Sequence, residues 1–147
     1  MTFRQLHQIS ILVPIALGAC SSERPPRAVP EAGSTAAQLT FRLDGGSTAR
    51  PQSVTVAGSR LQNRGSPGAV FWQIVVTSDS VRVPIRAVRY GTTPAGYATG
   101  REPMLLWPGY YEIDVVAGGR HAITYFSIRP DGSVSGDSAA AVVAPAT

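Results

Sequence analysis

Residues 110–128, YYEIDVVAGGRHAITYFSI, decide the fold, because apolar and polar side chains alternate along both halves of the stretch. A period of two is typical of a β-strand with one buried and one solvated face. The GGR at 118–120 separates the two halves and predicts a tight turn between two strands. The residues predicted to face the core are Tyr111, Ile113, Val115, Ala122, Thr124, Phe126 and Ile128.

Further apolar stretches with turn residues between them lie on either side of this pair, at 38–43, 53–58, 69–77, 80–88 and from Val134. Pro84 has no amide hydrogen to donate, so its strand is predicted to lie at an edge or to contain a bulge. Residues 89–102 are predicted to form a long loop. About seven strands without an amphipathic helix predict an all-β domain, an antiparallel β-sandwich in preference to a closed barrel.

The predicted sandwich covers residues 38–134, and the remaining tail, 135–147, is expected to be either loose or an edge strand. Within the predicted sandwich, LWPGYYEIDVVA at 106–117 resembles the Leu-x-Pro-Gly-x-Tyr pattern before a late strand of fibronectin type III and other immunoglobulin-like modules. The resemblance implies that the Tyr111 hydroxyl bonds to the backbone at a structural corner. It also makes Trp72 the candidate for the core tryptophan, and it carries no function.

The first 19 residues have the features of an export signal. Arg4 lies near the amino terminus, ISILVPIAL at 9–17 is apolar, and Gly18 and Ala19 are small. The apolar run is about half the length that a helix needs to cross a bilayer. Residues 1–19 are therefore predicted to be a cleaved signal peptide.

Leu17-Gly18-Ala19-Cys20 resembles the lipobox of bacterial lipoproteins, and Cys20 is the only cysteine of the chain. The resemblance implies that the Cys20 thiol receives a diacylglyceryl group, that the signal is cut before it, and that the new amino terminus is acylated. Ser21 at the next position implies, by similarity to many Gram-negative lipoproteins, sorting to the outer membrane. Residues 20–37, rich in Pro and small residues, are predicted to form the lipidated end and a flexible tether.

The charge of +4 comes from 13 basic residues, all of them Arg, which are scattered along the chain. Binding of nucleic acid needs basic residues clustered on one face together with a known motif. Neither is present, so no nucleic-acid partner is expected.

Side chains for catalysis or metal binding are few. His121 is predicted to be a lone exposed histidine, and Glu112 and Asp114 a solvated strand face. A zinc site draws on several His or Cys ligands, and a serine nucleophile needs a base and an orienting group. We therefore expect no enzyme activity, no catalytic residues, no metal and no cofactor.

Four aromatic residues form the candidate ligand or partner patch, Tyr90, Tyr97, Trp107 and Tyr110. If their loops meet at one end of the sandwich, the rings are suited to bind a glycan or an envelope protein. In the competing interpretation Tyr90 and Tyr97 pack their loop onto the sheet edge and Trp107 caps the core.

These features predict a lipoprotein held in the cell envelope by its lipid, with the β-sandwich as a binding or structural module. The alternative is an accessory subunit of an envelope secretion, pilus or transport complex that pairs with its partner by strand addition. A small hydrolase is a distant third hypothesis.

The lipid-anchor hypothesis predicts that Cys20→Ala moves the protein out of the membrane fraction, because two or three acyl chains supply the membrane affinity. Fractionation of cells with detection of the protein in each fraction measures this. A variant that stays in the membrane to the same extent as the natural protein contradicts the hypothesis.

Overall fold

The alternating residues 110–128 form a nearly complete antiparallel hairpin. Its two strands, Gly109–Ala117 and Arg120–Ile128, pair over nine positions from Gly109↔Ile128 to Ala117↔Arg120. Gly118 and Gly119 form the connection with φ angles of 57° and 69°. Such two-residue turns need positive φ at both positions to match the twist of the strands, which favours glycine.

The computed structural model describes residues 25–45, 49–78 and 84–145, and in these it shows strands and turns but no helix. The strands make two antiparallel sheets, of three and six strands, in a β-sandwich. In chain order the strands are β1 (Ala28–Pro30), β2 (Thr40–Leu43), β3 (Ser53–Gly58), β4 (Val70–Val76), β5 (Ala87–Arg89), β6 (Tyr97–Arg101), β7 (Gly109–Ala117), β8 (Arg120–Ile128) and β9 (Val134–Pro145). The small sheet has the order β1-β2-β5, and the large sheet β6-β4-β3-β7-β8-β9.

The core lies between the inner faces of the two sheets. Phe41 of β2 in the small sheet contacts Phe126 of β8 edge to face, with ring centroids 5.3 Å apart. Tyr111 stacks on Phe126 with ring centroids 5.5 Å apart. Trp72 of β4 is fully buried in the same cluster. The seven inward positions predicted for β7 and β8 are all buried.

Tyr111 also makes polar contacts where the chain enters β7. Its hydroxyl donates a hydrogen bond to the carbonyl oxygen of Trp107 at 2.8 Å and accepts one from the amide of the same residue at 3.0 Å. Burial raises the pKa of Tyr111, against the lowering effect of the bond to Trp107. One side chain thus satisfies both backbone groups of a residue at the corner.

The described residues contain nine strands rather than about seven. β1 lies inside the predicted tether and pairs with β2, and β6 lies inside the predicted loop and pairs with β4. β1 has only three residues, and most of β6 is exposed, so neither shows the alternation that marks a half-buried strand. β9 pairs with β8 at the edge of the large sheet, which is one of the two alternatives for the tail.

The stretch 80–88 differs most from its prediction. The period of two in this stretch predicts that Val81, Val83, Ile85 and Ala87 share the inward face, but Ala87 is exposed and Val88 is buried in β5. A bend at Arg86, two residues after Pro84, breaks the period of two. Positions 81–83 lie outside the described residues, as do the signal peptide, Cys20 and Ser21. Within the described ranges no helix is long and apolar enough to span a bilayer.

The hydrogen bonds of the Tyr111 hydroxyl predict that Tyr111 and its neighbour Tyr110 contribute differently to stability. Tyr111→Phe leaves the amide and carbonyl of Trp107 without their partner and should lower the free energy of unfolding by about 1–3 kcal/mol. Tyr110→Phe is the matched control, because Tyr110 is exposed and makes no side-chain hydrogen bond, and it should change stability by less than about 0.5 kcal/mol. Urea denaturation measures both, and equal stability of the two variants would contradict the role of the hydroxyl.

Candidate functional site

An ion pair between a buried carboxylate and a partly exposed arginine occupies the outer face of the large sheet, the face turned away from the small sheet. Glu112 of β7 points to this face, yet it is only 1% exposed. Arg60 binds it with Nε at 3.0 Å from both carboxylate oxygens, with Nη2 at 2.8 Å from Oε1, and with its backbone amide at 2.8 Å from Oε2. The hydrogen bond to Glu112 is the main cause of the raised pKa of Arg60.

The expectation of a solvated strand face at Glu112 is therefore wrong. The cause is the loop 59–69 between β3 and β4, which folds back over the outer face and brings Arg60 to Glu112 across 52 positions of sequence. No local pattern reveals such a contact. The carboxylate tolerates burial because a bidentate guanidinium and an amide occupy its oxygens.

Two glycines close the base of this loop. The amide of Gly58 donates to the carbonyl of Ala69, and the amide of Gly68 donates to the carbonyl of Gly58. A Cβ atom on Gly68 would lie 2.8 Å from the Cα of Gly58 and 2.7 Å from the Asn63 amide nitrogen. Glycine at position 68 is needed for this close approach. The base and the Arg60–Glu112 pair together hold the loop against the sheet.

A groove of about 480 Å³ lies beside the loop. We call it the outer-face groove. On the sheet side, Tyr110, Ser127 and Ser135 form one row across three strands, because Tyr110 pairs with Ser127 and Ser127 pairs with Ser135. Tyr125 of β8 lies in the next row, opposite Glu112. Leu61 and Gln62 of the loop form the facing wall.

The groove combines exposed apolar surface with free polar groups. Leu61 is 66% exposed and the Tyr110 ring 61% exposed. Four other lining side chains end in an amide or a hydroxyl, and none of them is hydrogen-bonded to the described part of the protein; they are Gln62, Tyr125, Ser127 and Ser135. This arrangement can hold a ligand by both stacking and hydrogen bonding.

Of the four aromatic residues of the predicted patch, two pack into the fold and two lie on the surface. The Tyr90 hydroxyl lies 3.1 Å from the carbonyl of Phe71 and 2.6 Å from that of Met104, and burial raises its pKa to about 12. Tyr97 is buried, and its hydroxyl donates to the carbonyl of Pro51 at 2.7 Å. Both residues thus serve the fold, as the competing interpretation expected.

Trp107 and Tyr110 remain on the surface, with Trp107 64% exposed rather than capping the core. Tyr110 lies beside the Gly58 end of β3, whereas Tyr97 pairs with Val76 at the other end of the sheet. Five residue steps along a strand separate these ends by about 17 Å. The four rings therefore do not form one patch, and Tyr110 alone of them lines the outer-face groove.

His121 is not isolated, contrary to expectation. Its Nδ1 lies 2.6 Å from Oδ2 of Asp114 on the adjacent strand, and both side chains are partly buried. Burial raises the pKa of Asp114, opposed by the hydrogen bond from His121. Such a pair resembles two members of a catalytic triad, but no described hydroxyl is hydrogen-bonded to His121. No set of three His, Cys, Asp or Glu side chains suited to a metal ion occurs in the described ranges either.

Compared with known protein families, with curated proteins and with solved structures, the chain gives no match. The site must therefore be interpreted from its own geometry. The groove combines an accessible surface, polar side chains without a hydrogen-bond partner among the described residues, and a wall held by the Arg60–Glu112 ion pair. Sequence reasoning identified Tyr110 but missed Leu61, Gln62, Tyr125, Ser127 and Ser135, for which the only advance signal was their polar or apolar type.

The ion pair predicts a non-additive double-mutant cycle. Arg60→Met leaves the buried Glu112 carboxylate with only the backbone amide of residue 60 as a partner and should destabilise the protein by about 3 kcal/mol. Arg60→Met combined with Glu112→Leu should recover most of that loss, because no uncompensated charge remains. Arg64→Met in the same loop is the control and should have little effect. Additive losses in denaturation experiments would contradict the coupling.

The raised pKa of Asp114 predicts a pH effect of definite sign. Because the folded state holds this proton more tightly than the unfolded state, the contribution of Asp114 to stability falls as pH rises from about 4 through its folded pKa. The stability of the natural protein relative to Asp114→Asn should therefore decrease over this window. Thermal unfolding at several pH values measures the difference.

Asp131 is the control for this pH effect. Hydrogen bonds from the hydroxyl and amide of Ser133 lower the pKa of Asp131. The stability of the natural protein relative to Asp131→Asn should therefore increase with pH. The same sign for both variants would contradict the assignment.

Proposed function

We propose that this protein is a lipid-anchored lipoprotein of the bacterial cell envelope whose β-sandwich acts as a binding module. The lipobox-like Leu17-Gly18-Ala19-Cys20 supports the anchor, and Ser21 supports the outer membrane of a Gram-negative cell as the location. The groove at the Arg60 loop supports binding as the role of the domain.

One observation carries the proposal for the domain. The outer-face groove presents two strongly exposed apolar residues, Leu61 and Tyr110, beside four polar side chains that have no hydrogen-bond partner in the described part of the chain. One exposed apolar residue needs no explanation, but Leu61 and Tyr110 line the same concave surface as these hydroxyl and amide groups, and this combination is typical of ligand sites. Together they indicate a surface that is completed by a ligand.

Strand β6 favours a second candidate, an accessory subunit of an envelope secretion, pilus or transport complex. β6 is at one end of the strand order of the large sheet, and residues 98–101 are all exposed. An open sheet edge offers unpaired backbone groups to a strand of a partner. This candidate ranks second because β6 has five residues and carries Arg101, both features that natural edges use to avoid pairing.

Site-specific crosslinking in intact cells distinguishes these roles. A diazirine amino acid at Leu61 should form an adduct with a ligand held in the groove, because it replaces a side chain of the groove wall. The same amino acid at Thr99 reports on β6, and at Arg89, exposed on the other sheet, it serves as a control.

An adduct at Leu61 and none at Arg89 supports the binding module. An adduct confined to Thr99 replaces it with strand addition. Absence of an adduct at both Leu61 and Thr99 contradicts the proposal of a binding role.

A further inference from the structure

We propose that the outer-face groove binds an uncharged oligosaccharide, with the Tyr110 ring as a stacking surface and Gln62, Tyr125, Ser127 and Ser135 as hydrogen-bonding partners. The inference rests on the proposed binding function and gives it a ligand class. It comes from three properties of the groove, namely its charge, its polar groups and the arrangement of its sheet row.

The lining residues that the structure describes carry no charge at neutral pH. None of its described residues is Arg, Asp, Glu or His, and burial raises the pKa of Tyr125, so its hydroxyl stays protonated. Arg60 and Glu112 bind each other at 2.8 Å, and Asp137 is the register partner of Tyr125 on β9. An anionic ligand would therefore meet no free cation among the described lining residues, whereas an uncharged ligand needs none.

The polar groups match the chemistry of sugar hydroxyls. Hydroxyl and primary amide groups can each donate and accept a hydrogen bond, as sugar hydroxyls do. Tyr125 is informative because the residue is only 6% exposed, yet it lines the groove and its hydroxyl has no hydrogen-bond partner in the described part of the chain. A ligand hydroxyl at that position would replace the solvent that the Tyr125 hydroxyl otherwise needs.

The row Tyr110, Ser127 and Ser135 supplies a ring and two hydroxyls in line across three strands. Adjacent strands lie about 4.8 Å apart, so the row extends about 10 Å. The face of a sugar ring carries weakly positive C–H groups, which favour contact with the negative face of an aromatic ring. A chain of two or three sugar rings can therefore lie on Tyr110 and reach both serines.

An extended peptide fits this groove less well. The groove lies over a face of the sheet, where the backbone groups of β7 and β8 are already paired with each other, so a peptide cannot add a strand there. A purely apolar helix would bury the hydroxyl and amide groups without partners. The observations thus favour a carbohydrate.

The test uses the mature lipidated protein in a detergent without a sugar head group, immobilised and probed with neutral trisaccharides of glucose, of N-acetylglucosamine and of galactose. The charged probe is trigalacturonate. We expect at least one neutral trisaccharide to bind with a Kd of about 1 mM or tighter, and trigalacturonate to bind at least tenfold more weakly.

Variants locate the binding. Tyr110→Ala should weaken it by at least about tenfold, Tyr110→Phe should preserve it, and Tyr125→Phe should weaken it by about threefold to tenfold through loss of one hydroxyl. Trp107→Ala is the matched control, an equally exposed aromatic residue outside the groove lining, and it should bind as the natural protein does.

Absence of binding by every neutral trisaccharide, equal binding of trigalacturonate, or unchanged binding in Tyr110→Ala would overturn the proposal. These failures are distinguishable from failure of the proposed function. A Leu61 adduct that contains only protein overturns the carbohydrate ligand and leaves the binding module intact.

Discussion

A carboxylate removed from water must find compensating partners, and Glu112 imposes this requirement on the outer face of the large sheet. Its oxygens accept from the guanidinium and the amide of Arg60, which commits the loop after β3 to one position. That position in turn places Leu61 and Gln62 opposite Tyr110 and Tyr125. Without the ion pair, the loop would keep its glycine base and the hydrogen bond from the Ser59 amide to the Tyr110 carbonyl, but the segment from Arg60 onward would lose its attachment to Glu112.

The stabilising pair and the binding surface are thus adjacent but chemically separate. Arg60 and Glu112 neutralise each other and leave the groove lining uncharged. The Tyr125, Ser127 and Ser135 hydroxyls lie on the outer face of β8 and β9, and the Gln62 amide lies on the loop that faces them. None of the 13 arginines of the chain is among the described lining residues of the groove. This separation also agrees with a role in which a lipid tether supplies location and the domain supplies recognition.

Prediction from sequence succeeded where a strand has one buried and one solvated face over several residues. The hairpin of β7 and β8 is the best example, since seven inward positions were identified and all are buried. It failed for β1 and β6, which are short or mostly exposed and are defined by pairing with a neighbour. It also failed at Glu112 and His121, because their partners, Arg60 and Asp114, are brought to them by a loop and by strand register.

The sequence by itself determined the all-β class, the turn at Gly118 and Gly119, the core-facing residues of the central hairpin, and the lipobox-like stretch that ends at Cys20. These properties depend on the order of neighbouring residues, so a local pattern contains them. Only the tertiary structure decided that Tyr90 and Tyr97 serve the fold, that Glu112 is buried, and that Tyr110 shares a groove with Leu61 and Tyr125. Burial and partnership of this kind arise between residues far apart in the chain, and no local period encodes them.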